Sequence, residues 1–257
     1  MPRPSFSWGG FPGPLFAPLV AVAVTAWLCA LNLSTALHGY GSTALKAYHP
    51  VFMVLGVTCL LPLAMLSHAD CGPACNARCG RATRRRLHAA LAAAGSACVF
   101  VGFGIHFYLN QSAGTAHLPA SEPASHSPAA RTAHVLIGYA VVAAVALQVA
   151  GGAFKLARAP AKVLPQHGLL GPATVVAGCL CIAIAAYFEY MEYIYQPPGT
   201  TWTMGEAAAV WVALAVLIAA VFTHRALSDK AHIAEDEAQQ LPLEEDGAYN
   251  DLGGALN

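Results

Sequence analysis

Asp, Glu, Lys and Arg are absent from residues 4–45, 47–69, 87–121, 132–154, 163–188 and 207–224, six runs divided by short charged segments. A helix of about 20 apolar residues crosses the ~30 Å hydrocarbon core of a bilayer, and each run contains or nearly contains one. The spacing predicts spans at roughly 15–37, 49–67, 87–109, 134–154, 168–189 and 206–224, an all-α membrane protein with six transmembrane helices. Composition removes the soluble alternative. Charged residues are 10% of the chain, against roughly 25% in an ordinary globular protein. Thirteen basic and thirteen acidic residues cancel, and no clustered basic excess offers a surface to a nucleic acid. The first span is too long for the apolar region of a signal peptide, so it reads as a retained helix surrounded by membrane lipid.

Three regions follow: a short N-terminal segment (1–14), a six-helix membrane domain (15–225) and an acidic tail (226–257). The tail carries Glu235, Asp236, Glu237, Glu244, Glu245 and Asp246, and its composition predicts disorder. Basic residues set the orientation. Arg78, Arg81, Arg84, Arg85 and Arg86 crowd the 68–86 connection, and Lys155, Arg158 and Lys162 the 155–163 connection. The opposite connections hold only Lys46 and Arg131. The positive-inside rule therefore expects both basic loops and both termini in the cytosol.

Four of the eleven histidines share one pattern: His49, His88, His134 and His167 begin the second, third, fourth and fifth spans. Successive spans run in opposite directions, so His49 and His134 fall toward the outer face and His88 and His167 toward the cytosolic one. Two pairs result, each from alternate helices of a four-helix bundle. Facing imidazoles in an apolar bundle suit the axial positions of a six-coordinate b-type haem, so two haems per chain are expected. The glycines nearby (Gly56, Gly95, Gly102, Gly138, Gly151, Gly152, Gly171 and Gly178) are expected to let flat rings approach the helices. The same imidazoles would also serve a proton or metal pathway without haem, and a histidine at a membrane boundary is commonly only interfacial.

The stretches "YHPVFMVLG" around His49, "RRRLHAAL" around His88, "RTAHVLIGY" around His134 and "LPQHGLLGPATVVAG" around His167 together resemble the cytochrome b561 family of transmembrane di-haem reductases. "LQVAGGAF" at 147–154 is similar to the end of that family's fourth helix, and the likeness covers about residues 35–225. The brief chain and the "TAHL" loop look closest to a short animal branch. The resemblance implies helices two to five around two b haems, His88 and His167 holding the cytosolic one and His49 and His134 the outer one. It implies a transmembrane reductase that passes electrons from cytosolic ascorbate to monodehydroascorbate or ferric iron. It also implies an endomembrane, vesicle or plasma-membrane location and a homodimer. His106 falls where members carry a histidine near the acceptor. Ascorbate-using members have a basic residue where this chain has Thr83, with Arg84, Arg85 and Arg86 beside it as substitutes, and Lys155 and Arg158 as further candidates for an anionic donor.

Eight cysteines in a chain this long do not make a disulfide scaffold. Cys29, Cys59, Cys98, Cys179 and Cys181 lie within spans and are expected to pack. Cys71, Cys75 and Cys79 with His68 are spaced more widely than most zinc sites, and metal binding, acylation and plain loop thiols all remain open there.

Overall fold

The computed structural model describes residues 15–39, 44–67, 80–112, 127–158, 166–193 and 202–240. The elements are α1 (Phe16–Gly39), α2 (Ala44–Val54), a π-helical stretch (Leu55–Leu60), α3 (Leu61–Leu66), α4 (Arg81–Ser112), α5 (Pro128–Arg158), α6 (Gln166–Tyr193) and α7 (Met204–Gln240). No strand occurs among the described residues. Six segments are long and apolar enough to cross a membrane: Phe16–Ser34, Tyr48–Leu66, Ala82–Ser112, Pro128–Ala157, His167–Met191 and Met204–Leu227. The protein is an integral, multi-pass membrane protein.

The third and fourth spans outrun their apolar windows because their polar first turns are themselves good helix. Pro128 sits at the first helical position of α5, where its missing N–H is no loss, and Arg131 N–H closes the first turn on the Ser127 carbonyl at 3.1 Å. The last helix begins with a reciprocal cap. Thr203 N–H donates to Glu206 Oε2 at 2.7 Å and Glu206 N–H donates to Thr203 Oγ1 at 3.2 Å. That helix runs to Gln240, which corrects the expectation of disorder from residue 226 onward. Its Ala, Glu, Gln and Lys content favours helix once an apolar segment has nucleated it. Residues 241–257 lie outside the described residues.

The second span changes register halfway. Pro62 has no N–H for the Thr58 carbonyl and its ring crowds that oxygen, so the turn before it widens: Leu61 N–H reaches back five residues to the Gly56 carbonyl. The widened stretch buries Gly56, Val57, Thr58 and Cys59. Thr58 meets Thr25 of α1, hydroxyl to hydroxyl, at 2.6 Å. A second proline acts at long range. Pro172 strips the Gly168 carbonyl of its helical partner, and Arg225 of α7 donates Nη2 to that oxygen at 3.4 Å.

The second span packs closely on α4, and α5 on α6, while α1 and α7 lie against each other and against the second and fifth spans respectively. Spans two to five thus form a four-helix bundle in which two and four, and three and five, are diagonal. The core joins Leu28 of α1, Val54 and Val57, Val175 and Cys179 of α6, and Val210, Leu217 and Val221 of α7, all nearly inaccessible. Val99 of α4 and Val141 and Val145 of α5 complete it, so all six spans contribute. The fourth span has only 11% of its window buried against 44% for the second, leaving most of its surface for lipid and for whatever fills the bundle interior.

Helix contact depends on four of the glycines that the sequence reading assigns to ring access. A Cβ at Gly56 would lie 2.8 Å from the Gly95 carbonyl oxygen, at Gly102 3.1 Å from the His49 carbonyl oxygen, and at Gly178 2.6 Å from Val57 Cγ1. At Gly95 it would meet Leu60 and Leu61 at 3.1 Å. These positions are closed by neighbouring helices, so they serve packing rather than ring access. Gly138, Gly152 and Gly171 do leave room: a Cβ there would meet its nearest neighbour at 3.8, 3.7 and 3.6 Å.

Candidate functional site

The four span-opening histidines are all half-buried, and three are held the same way. His49 Nδ1 lies 2.8 Å from the Gly102 carbonyl oxygen, His88 Nδ1 2.8 Å from that of Ala64, and His134 Nδ1 3.0 Å from that of Cys181. A carbonyl only accepts, so each Nδ1 carries the proton and donates it. The tautomer is then decided: Nε2 is left with a lone pair, the state in which a neutral imidazole binds metal. This is the outer-shell support that metal-binding histidines normally have.

Antiparallel packing sorts the rings into two ends. His88 and His167 meet with centroids 6.2 Å apart and planes at 76°. Two imidazole nitrogens each about 2 Å from a shared metal ion put the ring centroids roughly 6 Å apart, so the spacing of this pair would suit two histidines holding one metal. At the opposite end His49 is within electrostatic reach of both His134 and His106. Its ring stacks on His106 at 4.8 Å and 35°, and the His134 ring meets the edge of Phe188 at 5.4 Å and 87°. Cys181 Sγ adds a contact of 3.3 Å to His134 Nδ1 and donates to the His134 carbonyl at 3.4 Å. From His88 to Gly102, beside His49, is 14 residues of α4, about 21 Å at 1.5 Å per residue, so the ends are separated by most of a membrane thickness.

Among the described residues no group of three or more His, Cys, Asp or Glu side chains stands ready for a metal ion. Paired neutral imidazoles suit a metal whose remaining positions are filled by a macrocycle. Such a donor pair would suit a b haem.

The other expected site residues divide by place. Arg84, Arg85 and Arg86 occupy the first turns of α4, and Arg85 Nη2 donates to the Lys155 carbonyl at 3.1 Å, so the two basic clusters meet at the His88/His167 end. Arg158 closes α5 nearby; its side chain, like Cys71, Cys75, Cys79 and His68, lies outside the described residues. His106 belongs to the other end, its Nε2 3.0 Å from Asn110 Nδ2. The sequence reading missed the carbonyls of Gly102, Ala64 and Cys181 and the contacts of Phe188. Main-chain acceptors have no residue identity to reveal them.

A six-span helical bundle with imidazole pairs at both ends is the architecture of a haem-carrying membrane protein. Residues 48–193 match the family Eukaryotic cytochrome b561, more than half of the chain, and the protein belongs to that family. Its members bind haem b and carry electrons across membranes, so the protein is a transmembrane oxidoreductase. None of the curated proteins matches the chain.

Proposed function

We propose that the protein carries single electrons from cytosolic ascorbate to monodehydroascorbate or ferric iron on the opposite side, using two b haems per chain. His88 and His167 hold the cytosolic haem, and His49 and His134 the outer one. Haem bound at these positions supplies a reversible one-electron iron couple. The chain's own contribution is to present Nε2 of each imidazole, to keep the His49, His88 and His134 rings from turning by their Nδ1–H···O=C bonds, and to exclude water with apolar helices. The observation that carries this reading is the carbonyl anchoring of three of the four imidazoles, which an interfacial histidine does not need.

Donor recognition falls to the basic end. Arg84, Arg85 and Arg86 stand at a helix N-terminus, where the free N–H groups add positive potential rather than offsetting it, and Lys155 is drawn alongside. An ascorbate monoanion is attracted there. By the positive-inside rule this end, with both termini, faces the cytosol.

The test is the spectrum of the purified protein, oxidised and then reduced with dithionite, with haem quantified per chain. Two haems with sharp b-type bands, reduced by ascorbate alone, are expected. A well-folded protein without haem would overturn the reading and favour a histidine-dependent transport pathway; one reduced by dithionite but not ascorbate would overturn the donor.

A further inference from the structure

The three anchored histidines obey one rule of register. His49 donates to Gly102, which lies 14 residues beyond His88 on α4. His88 donates to Ala64, 15 residues beyond His49 on the second span. His134 donates to Cys181, 14 residues beyond His167 on α6. Each ligand is therefore held by the main chain of the neighbouring span, one membrane crossing beyond that span's own ligand. Spans two and three hold each other's ligands reciprocally, and four and five repeat half of the arrangement.

The missing half is informative. By the same register His167 would be held on α5 at Gln148 or Val149. Instead, His167 Nδ1 is buried with no hydrogen-bond partner among the described residues. What stands at that position is an amide side chain. Gln148 Nε2 donates to the main-chain carbonyl of His167 at 3.1 Å. The amide lies against Gly171, where a Cβ would be in van der Waals contact with Nε2 at 3.6 Å. The amide is thus already fastened to residue 167 by its donor, and its acceptor, Oε1, makes no hydrogen bond to a described residue.

We propose that Gln148 is the fourth anchor: with haem bound, its Oε1 accepts the Nδ1–H of His167, so that one amide clamps that residue by its main chain and its ring together. The inference rests on the haem-ligand reading above. Leaving a buried N–H unpaired is costly, and an amide donates from its nitrogen while accepting at its oxygen, so one side chain can serve two atoms of the same residue. The consequence is electronic. A hydrogen bond from Nδ1–H makes an imidazole a stronger donor to its metal and favours the oxidised iron. Gln148 is then a positioning residue for one haem and not for the other.

The experiment is a spectroelectrochemical titration of the full-length holoprotein in detergent, comparing Gln148→Leu and Gln148→Glu with the unaltered chain. The midpoint of the haem at this end is identified by its absence from His88→Leu. Gln148→Leu is expected to raise that midpoint and leave the other unchanged, whereas Gln148→Glu, which keeps an acceptor at the same reach, holds it at or below the original value. Loss of that one haem in Gln148→Leu with retention in Gln148→Glu supports the proposal equally. It is overturned if Gln148→Leu moves neither midpoint, if it moves both alike, or if Glu and Leu behave identically, including joint loss of haem. Absence of haem from the unaltered chain would instead reject the ligand reading itself, and is seen before any variant is made.

Discussion

A neutral imidazole offers one lone pair and one proton, and what accepts the proton decides which nitrogen is left for a metal. At His49, His88 and His134 a main-chain carbonyl accepts it, at 2.8, 2.8 and 3.0 Å. Such an acceptor does not depend on side-chain identity at 64 or 181, because any residue there brings a carbonyl, whereas at 102 a side chain would press on the His49 main chain. Only the ligand itself is irreplaceable. His134→Leu is therefore expected to halve the haem content from two per chain to one, and a pyridine haemochrome assay on the folded variant reads the ratio. Retention of both haems would remove His134 from the ligand set. Cys181→Ala, by contrast, keeps the carbonyl that holds His134 and is expected to keep both haems, although it loses the thiol at 3.3 Å.

Between elements, distances at the glycines separate two kinds of close approach. A Cβ at Gly178 would come 2.6 Å from Cγ1 and 3.1 Å from Cγ2 of Val57, both methyls of one side chain, while at Gly56 it would come 2.8 Å from a main-chain oxygen, that of Gly95. Overpacking of this kind costs about 1–3 kcal/mol. Gly178→Ala and Gly56→Ala should both lower the thermal unfolding temperature in detergent. Val57→Ala should restore much of the loss at Gly178, since the obstructing methyls disappear. No side-chain change relieves Gly56, where the helices are separated by a peptide group. A failure of Val57→Ala to rescue Gly178→Ala would place the strain elsewhere than this contact. Six spans and their order were legible as runs without charge, since burying charge in hydrocarbon is prohibitive over about 20 residues. The π-helical turn before Pro62 was not, because a proline equally predicts a kink, and only the packing of Val57 and Thr58 against α6 and α1 distinguishes the two. The glycines were visible too, but their partners lie on helices 34 to 121 residues away in sequence, a pairing that one chain's pattern does not contain.

For the whole molecule, the two ends differ in charge, and that asymmetry should be measurable in two ways. The histidine register made both ends legible from the sequence; the joining of Arg85 to Lys155 across α4 and α5 was not, because residues 70 apart on two different helices have no periodicity to relate them. If the basic end steers an anionic donor, then changing Arg84, Arg85 and Arg86 together to Gln should lower kcat/KM for ascorbate by roughly tenfold at low salt. The deficit should shrink as salt screens the field, with the Debye length falling to about 8 Å at physiological ionic strength. A deficit independent of salt would mean that the arginines hold structure rather than steer. The direction of transfer gives the second measurement. An electron moving outward from a cytosol held negative travels down the electrical gradient, gaining about 2.3 kcal/mol per 100 mV for a full crossing. In liposomes loaded with ascorbate, with the basic end inward and a membrane-impermeant ferric acceptor outside, an inside-negative potassium diffusion potential should accelerate reduction of the acceptor, and an inside-positive one should slow it. The imidazole pairs stand about 21 Å apart along α4, so most of the potential falls across the step between them, and the rate should respond steeply. A rate indifferent to the sign of the potential would mean that a compensating charge crosses with the electron, or that no electron crosses at all. Omitting the internal ascorbate separates these outcomes, since only the first then loses its external reduction.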